Sequence, residues 1–221
     1  ENARPNATLT FSVEHQYGDN GAFTVQVCAA DDDTSGNCDS EVATVGNVDP
    51  TAVIDTSGEQ VYDGVSAFIV EAGEDLTVPV GSVDPGSDDL TAEWAWGDGS
   101  TDTQTSLVNA PATDPAKSPS NQPRDVGFSE THAYVDACAY TLDVTVTDDD
   151  LGSAADSALV LITGNADVSK GHGWWLNQYR TKSPNDFTPA ELQCYLDIVG
   201  ALSMVFDEET DASTRAKATK V

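Results

Sequence analysis

One stretch of this chain occurs twice. "HQYGDNGAFTVQVCAADDD" begins at His15 and "HAYVDACAYTLDVTVTDDD" begins at His132. Tyr17 aligns with Tyr134 at an offset of 117 residues, and at that offset His15, Asp19, Ala22, Thr24, Val27 and Asp31-Asp32-Asp33 all meet identical residues. After one extra residue, Gly46-Asn47 aligns with Gly164-Asn165. Self-similarity over this length marks a repeated structural unit. Any fold for the chain must contain that unit twice.

Each copy reads as a β-hairpin. "AFTVQVCA" and "AYTLDVTVT" alternate apolar and polar residues, break at an acidic turn, and resume as "SEVATV" and "SALVLI". Ahead of the second copy lie four more strand-like runs, "AVIDT", "SAFIVEA", "LTVPV" and "TAEWAW", separated by Gly, Pro and Asp. About seven short strands at this spacing predict an antiparallel sandwich. The first copy has no such strands ahead of it and reads as half a domain. At the offset of 117, Glu1 falls opposite Ser118, inside the proline-rich "NAPATDPAKSPSNQPRD", which is expected to be an exposed loop. Glu1 is therefore expected to follow a cleaved or disordered loop of an earlier repeat. A half-sandwich exposes strand edges and apolar faces. Its missing strands would come from an upstream fragment or from a neighbouring copy.

The chain has 221 residues, 39% of them hydrophobic, which suffices for one large or two small cores. Its formal net charge of −29 repels nucleic-acid phosphates and anionic membrane surfaces, and it favours divalent cations. Such acidity also suits a saline habitat, where salt shortens repulsion to about 10 Å or less. No run approaches the roughly 18 apolar residues of a membrane span. Cys28, Cys38, Cys138 and Cys194 show no zinc-type spacing, so disulfides in an oxidising compartment are the simpler reading. Cys28 and Cys38 sit on the two arms of one hairpin, where a cross-strand bridge is easy. Cys138 and Cys194 then remain, either as a staple between the sandwich and the tail or as two buried thiols.

From Lys170 the pattern changes from period two to helical. "FTPAELQCYLDIVGALSMVF" offers Thr188 as N-cap, Pro189 at N1 and Glu191 at N3, a capping box. Leu192, Tyr195, Leu196, Val199, Leu202 and Phe206 then recur at helical spacing. "GHGWWLNQYR" and "TDASTRAKATK" are expected to flank this helix in a small helical appendage. Trp174, Trp175 and Tyr179 are assigned to the core of that appendage, with an exposed aromatic patch as the alternative.

No HExxH, GxSxG or Cys/His pairing supports nucleophilic or zinc catalysis. Trp94 and Trp96 share one strand face and are assigned to the core, with a sugar-stacking platform as the alternative. Asp98 is read as the cap of the Gly97-Asp98-Gly99 turn. His15 and His132 hold equivalent positions in the two copies, which suits strand anchors rather than catalysts. Asp31-Asp32-Asp33 and Asp148-Asp149-Asp150 each occupy a hairpin turn. Three adjacent carboxylates are either a solvated turn or a site where a hard cation relieves their repulsion.

"SVDPGSDDLTAEWAWGDGS" followed by "HAYVDACAYTLDVTVTDDDLG" resembles the PKD (polycystic kidney disease) domain. Its pattern runs from S-x-D through a W-x-x-G-D-G-type strand end to H-x-Y, here His132 and Tyr134, before the last strands. Residues 48–167 carry the full pattern and residues 1–47 its C-terminal half. The acidic loop "DPGSDD" departs from the DPDG form, and the proline-rich insertion is an addition. The tail is similar to one that follows PKD-like domains in large secreted actinobacterial and related proteins, with no activity assigned to it. The resemblance implies tandem immunoglobulin-like β-sandwiches, mostly β, with a small α-helical domain over residues 168–221. It further implies a non-catalytic extracellular or cell-surface module. By the same resemblance, Asp84 with Asp88 or Asp89 is a second candidate calcium site, and no other cofactor is called for. Expected partners are other domains of the same precursor, neighbouring copies, or an extracellular protein or glycan. The assembly form of this reading is a filament subunit completed by strands of another chain. The alternative is an ancillary, substrate-positioning region of a secreted hydrolase.

Overall fold

The computed structural model describes residues 10–30, 36–62, 64–108, 122–164, 170–180 and 186–202. Along these residues run strands β1 (Gly21–Ala29), β2 (Asn37–Val45), β3 (Val53–Ile54), β4 (Gln60–Tyr62), β5 (Val65–Glu71), β6 (Asp75–Asp84), β7 (Leu90–Ala95), β8 (Thr101–Ser106), β9 (Arg124–Ala133), β10 (Ala139–Asp148) and β11 (Ser153–Thr163). Helices α1 (His172–Tyr179) and α2 (Pro189–Leu202) follow.

Strands β3 to β11 form an immunoglobulin-like β-sandwich. A six-stranded sheet in the order β4-β5-β11-β10-β7-β8 faces a three-stranded sheet in the order β3-β6-β9. The core between them holds Val78 and Val80 of β6, Trp94 of β7, Phe128 of β9, Leu142, Val144 and Val146 of β10, and Val160 and Ile162 of β11. Strand β6 buries every second residue from Leu76 to Asp84, as period-two geometry demands of a strand with one face inward.

Two features depart from the expected pattern. Strands β5 and β11 pair in parallel, with Val160 opposite Phe68, in an otherwise antiparallel sheet. This is open to β5 because the chain leaves it for the opposite sheet and returns several strands later, giving the crossover that parallel pairing requires. Strands β4, β8 and β9 fall outside the strand-like runs of the sequence. The "TDTQTS" of β8 is an edge strand with no apolar alternation, and β9 begins at Arg124, within what reads as the tail of the proline-rich insertion. Residues 109–121 of that insertion lie outside the described residues.

The first hairpin reproduces the last one. Strands β1 and β2 pair with Ala22 opposite Thr44 and Cys28 opposite Cys38. Strands β10 and β11 pair with Ala139 opposite Leu161, the same register shifted by 117 on both arms. Local detail is copied as well: Ser40 N donates to Asp39 Oδ1 at 3.0 Å, as Ser157 N does to Asp156 Oδ1 at 2.9 Å. Burial is not copied. Val25 and Val27 are 43% and 46% exposed, whereas the equivalent Leu142 and Val144 are fully buried.

Two disulfides are present. Cys28–Cys38 spans β1 and β2, and Cys138–Cys194 joins the residue before β10 to α2. The capping box forms at the start of α2, where Glu191 N donates to Thr188 Oγ1 at 3.2 Å and Thr188 N donates to Glu191 Oε2 at 2.6 Å. Leu192 and Leu196 are buried, and Trp175 stacks on Phe187 with centroids 5.9 Å apart. Trp174, Trp175 and Tyr179 are half-buried in this appendage, as a small domain needs. Phe206 and "TDASTRAKATK" lie outside the described residues. Among the described residues, no helix is long and apolar enough to cross a membrane.

Candidate metal centre

Strand parity delivers two carboxylates to the core. The buried series of β6 runs Leu76, Val78, Val80, Ser82 and ends on Asp84; that of β10 runs Leu142, Val144, Val146 and ends on Asp148. The two strands belong to facing sheets, and both series end at the same edge of the sandwich. The loop after β6 adds Asp88. Carboxylate oxygens of Asp84, Asp88 and Asp148 lie within 4.8 Å of one another, although these residues are only 0%, 4% and 4% exposed.

Their bonding is incomplete. Asp148 is held by Gly152 N, 2.7 Å from Oδ1, and by Asn47 Nδ2, 2.8 Å from Oδ2. Asp84 Oδ1 accepts from Gly86 N at 2.6 Å. Asp84 Oδ2, Asp88 Oδ1 and the Ser87 hydroxyl are buried without a hydrogen-bond partner. Buried polar atoms in that condition are uncommon in native proteins and point to an ion or a water. The backbone leaves room for one: a Cβ on Gly86 would come within 2.8 Å of both Asp88 oxygens and 3.0 Å of Asp84 Oδ1. Arg124, opposite Asp84 in the β6–β9 register, donates from Nη2 to the Ser106 carbonyl at 3.1 Å and to its hydroxyl at 2.9 Å.

Electrostatics follow from this geometry. Burial pushes the Asp88 carboxyl up to about 7, and the charges of Asp84, Asp19, Asp149 and Asp148 push the same way. Burial also raises Asp84 above the ordinary range; Asp148 adds to that, while Gly86 N and Arg124 oppose it. Such an arrangement can hold either protons or a cation. An all-oxygen set of carboxylates suits a hard ion such as calcium, which takes 6–8 oxygen ligands at about 2.3–2.6 Å, and does not suit zinc.

A pH dependence follows. In the metal-free protein the folded-state pKa of Asp88 lies above its unfolded value, so proton uptake favours the native state. That stabilisation is fully present below about pH 4 and is lost as pH rises through about 7. The expected result is a higher melting temperature at pH 5.5 than at pH 8 in chelator, measured by scanning calorimetry. Calcium affinity should move the other way, because protons compete for the same oxygens.

The structure sorts the sequence-derived candidates. Asp84, Asp88 and Asp148, read as members of two separate sites, converge on one. Asp89 and Asp149 do not belong to it: Asp89 Oδ1 accepts Val108 N at 2.5 Å, and Asp149 Oδ1 accepts Asp89 N at 3.2 Å. Asp150 is exposed and groups with Asp19 and Asp88. Within the Asp148-Asp149-Asp150 turn, Asp148 is therefore buried and Asp150 exposed. Asp31, Asp32 and Asp33 lie outside the described residues. Nothing in the sequence pattern marks Asn47 or Asp19 as site residues, and the structure places both beside the cluster. Cys138 and Cys194 also lie near Asp197, but their sulfurs are bonded to each other.

The conspicuous aromatic group is structural in its contacts. Trp94 and Trp96 are fully buried. Trp96 Nε1 donates to Asp102 Oδ2 at 2.8 Å, its ring stacks on His132 at 4.9 Å, and Tyr134 Oη donates to the Trp96 carbonyl at 2.9 Å. Ser100, His132 and Asp98 also meet, but both partners use the same ring nitrogen. Nε2 lies 3.3 Å from Ser100 Oγ and 2.8 Å from Asp98 Oδ2. A serine nucleophile needs its base oriented through the opposite nitrogen, so this is a turn clasp and not a relay. Asp98 also accepts Ser100 N at 2.9 Å, the capping role read from its place in the turn.

No protein-family model matches the chain, and no curated protein matches it. Solved structures to which it is similar include a PKD domain of an M14-like peptidase from a Thermoplasmatales archaeon, at 17% identity and a TM-score of 0.34. That match covers 53% of this chain and 98% of that one. The PKD1 domain of the Vibrio cholerae metalloprotease PrtV is similar at 20% identity and a TM-score of 0.30, covering 52% of this chain and 98% of that one. A Niemann-Pick type C2 protein from the Japanese carpenter ant is similar at 9% identity and a TM-score of 0.33, covering 53% and 96%.

Proposed function

We propose that this chain is a non-catalytic structural module of a larger secreted or cell-surface protein, built from successive sandwich units and stabilised by calcium at Asp84, Asp88 and Asp148. In this reading residues 1–47, 48–167 and 168–221 are a partial sandwich, a complete sandwich and a helical end. The β1–β2 hairpin serves in assembly, closing a sandwich with strands contributed by another unit. The observation that carries this is the contrast between half-exposed Val25 and Val27 and their fully buried equivalents, Leu142 and Val144. A two-stranded sheet is marginal alone, so a face patterned for a core implies a second sheet. Asp39 adds detail to that partner. Its equivalent Asp156 accepts Ile54 N of β3 at 2.9 Å, so the strand that covers the first hairpin should present a backbone N–H there. The two disulfides support an oxidising, extracellular setting.

Hydrogen exchange on the isolated chain tests the assembly role. Amides of β1 and β2 are expected to exchange at least a hundredfold faster than those of β10 and β11. Self-association, where seen by light scattering, should be abolished by Val27→Asp while the sandwich melt is unchanged. A monomeric chain with equal protection in the two hairpins would show that β1–β2 needs no second sheet, and would overturn the reading.

A further inference from the structure

The acidic cluster does not stop at the sandwich. Asp19, just ahead of β1, and Asp150, in the β10–β11 turn, place carboxylate oxygens within 4.8 Å of each other and of Asp88. Asp88 thus belongs to two carboxylate triads, one wholly inside the sandwich and one that includes the first unit. The same Asp88 carries a buried oxygen with no hydrogen-bond partner, and the neighbouring Ser87 hydroxyl is likewise unpartnered. Around them the two units are already in contact. Ser87 N donates to Gly18 O at 2.8 Å, and Gln122 Nε2 donates to Tyr17 O at 2.5 Å. A cavity of about 170 Å³ opens between them, lined from one side by Tyr17, Asp19 and Asn47 and from the other by Asp88 and Gln122.

We propose that Asp19, Asp88 and Asp150 form a second divalent-cation position, next to the buried one, and that a cation there clamps the first hairpin unit onto the sandwich. The inference rests on the cation reading of Asp84, Asp88 and Asp148 and extends it from stability to the geometry of the junction. Two acidic units brought together repel each other, and a dication placed between them turns that repulsion into attraction. The protein neighbours at the junction supply oxygen as well as carboxylate, notably the Gln122 side chain, whose Oε1 is buried and unpartnered. Such a set suits a flexible, oxygen-rich calcium site. With the clamp filled, the linker from Gly46 to Pro50 is held at both ends; with it empty, the junction rests on the backbone contacts of Gly18 and Tyr17 and on the Asn47–Asp148 bond.

The test is calorimetric titration of the 221-residue protein with calcium chloride, paired with hydrogen exchange at residues 16–20 and 46–49. The wild type is expected to bind two calcium ions, and calcium should slow exchange at the junction at least tenfold. Asp19→Asn keeps an oxygen for the Asn20 N–H that Asp19 Oδ1 now accepts, so it removes the charge and retains that bond. It is expected to lose one ion and the junction protection while retaining the other ion. Asp150→Asn, at an exposed turn, should do the same. If neither variant changes stoichiometry or junction exchange, the clamp is wrong. If the wild type binds no calcium at all, the buried site itself is wrong.

Discussion

Calcium added to the chelator-treated protein is expected to raise its melting temperature by about 5–10 °C when free calcium is near 100 times the dissociation constant. The magnitude follows from mass action: an ion that binds only the native state at that excess stabilises it by about 2.7 kcal/mol. In a protein of this size each kcal/mol shifts the midpoint by about 2–4 °C. The physical cause is the stack of three nearly buried carboxylates, of which Asp84 and Asp88 each keep an oxygen with no partner. Without a cation these charges repel across a low-dielectric space, and with one they become ligands. Asp88→Asn gives the discriminating signature. It removes one repelling charge and one ligand, so in chelator the variant should melt above the wild type, and in calcium below it. A structural carboxylate with no cation role would show no such crossing, because its replacement would act in the same direction with and without calcium. The measurement is differential scanning calorimetry at pH 8, where Asp88 is mostly ionised without metal.

Trp96→Ala is expected to destabilise the sandwich by about 3–5 kcal/mol, the usual cost of truncating a buried Trp. Three contacts are lost or loosened together: the Trp96 Nε1 bond to Asp102, the stack on His132, and the packing that holds the Trp96 carbonyl for Tyr134. Against a typical total stability of about 5–15 kcal/mol, this leaves a marginal fold. Urea unfolding followed by far-UV circular dichroism reads the loss directly as a lower midpoint. Trp96→Phe restores most of the apolar area but not the bond to Asp102, so it should recover the larger part of the stability. A fully buried ring offers no face to a sugar, and the sugar-platform reading would require the opposite result: an unchanged midpoint with lost ligand binding. Should Trp96→Ala leave the midpoint where it was, the core assignment fails.

Much of the candidate site was latent in strand parity. In "LTVPVGSVD" and "LDVTVTD" the inward positions step by two from Leu76 to Asp84 and from Leu142 to Asp148. Continued to its end, that count puts both carboxylates on the core face, which separates Asp148 from Asp149 at the start. Asp88 carries no such signal. It lies in a loop, and nothing periodic distinguishes it from Asp89, whose carboxylate turns instead to the Val108 amide. Asp19 and Asn47 are harder still, since they belong to a different unit and reach the cluster only through the packing of that unit against the sandwich.

The sequence by itself determined what depends on neighbours along the chain. That includes the repeated hairpin and its register, the facing cysteines at 28 and 38, the buried tryptophans of one strand face, and the capping box of α2. Each is set by side-chain alternation, turn chemistry or helix-end hydrogen bonding within a few residues. Only the tertiary structure decided the rest: the parallel pairing of β5 with β11, the edge strand β8, and the meeting of Asp84, Asp88 and Asp148. Those depend on which strands become neighbours and which sheets face each other, and a carboxylate's position along one strand holds no record of the opposite sheet.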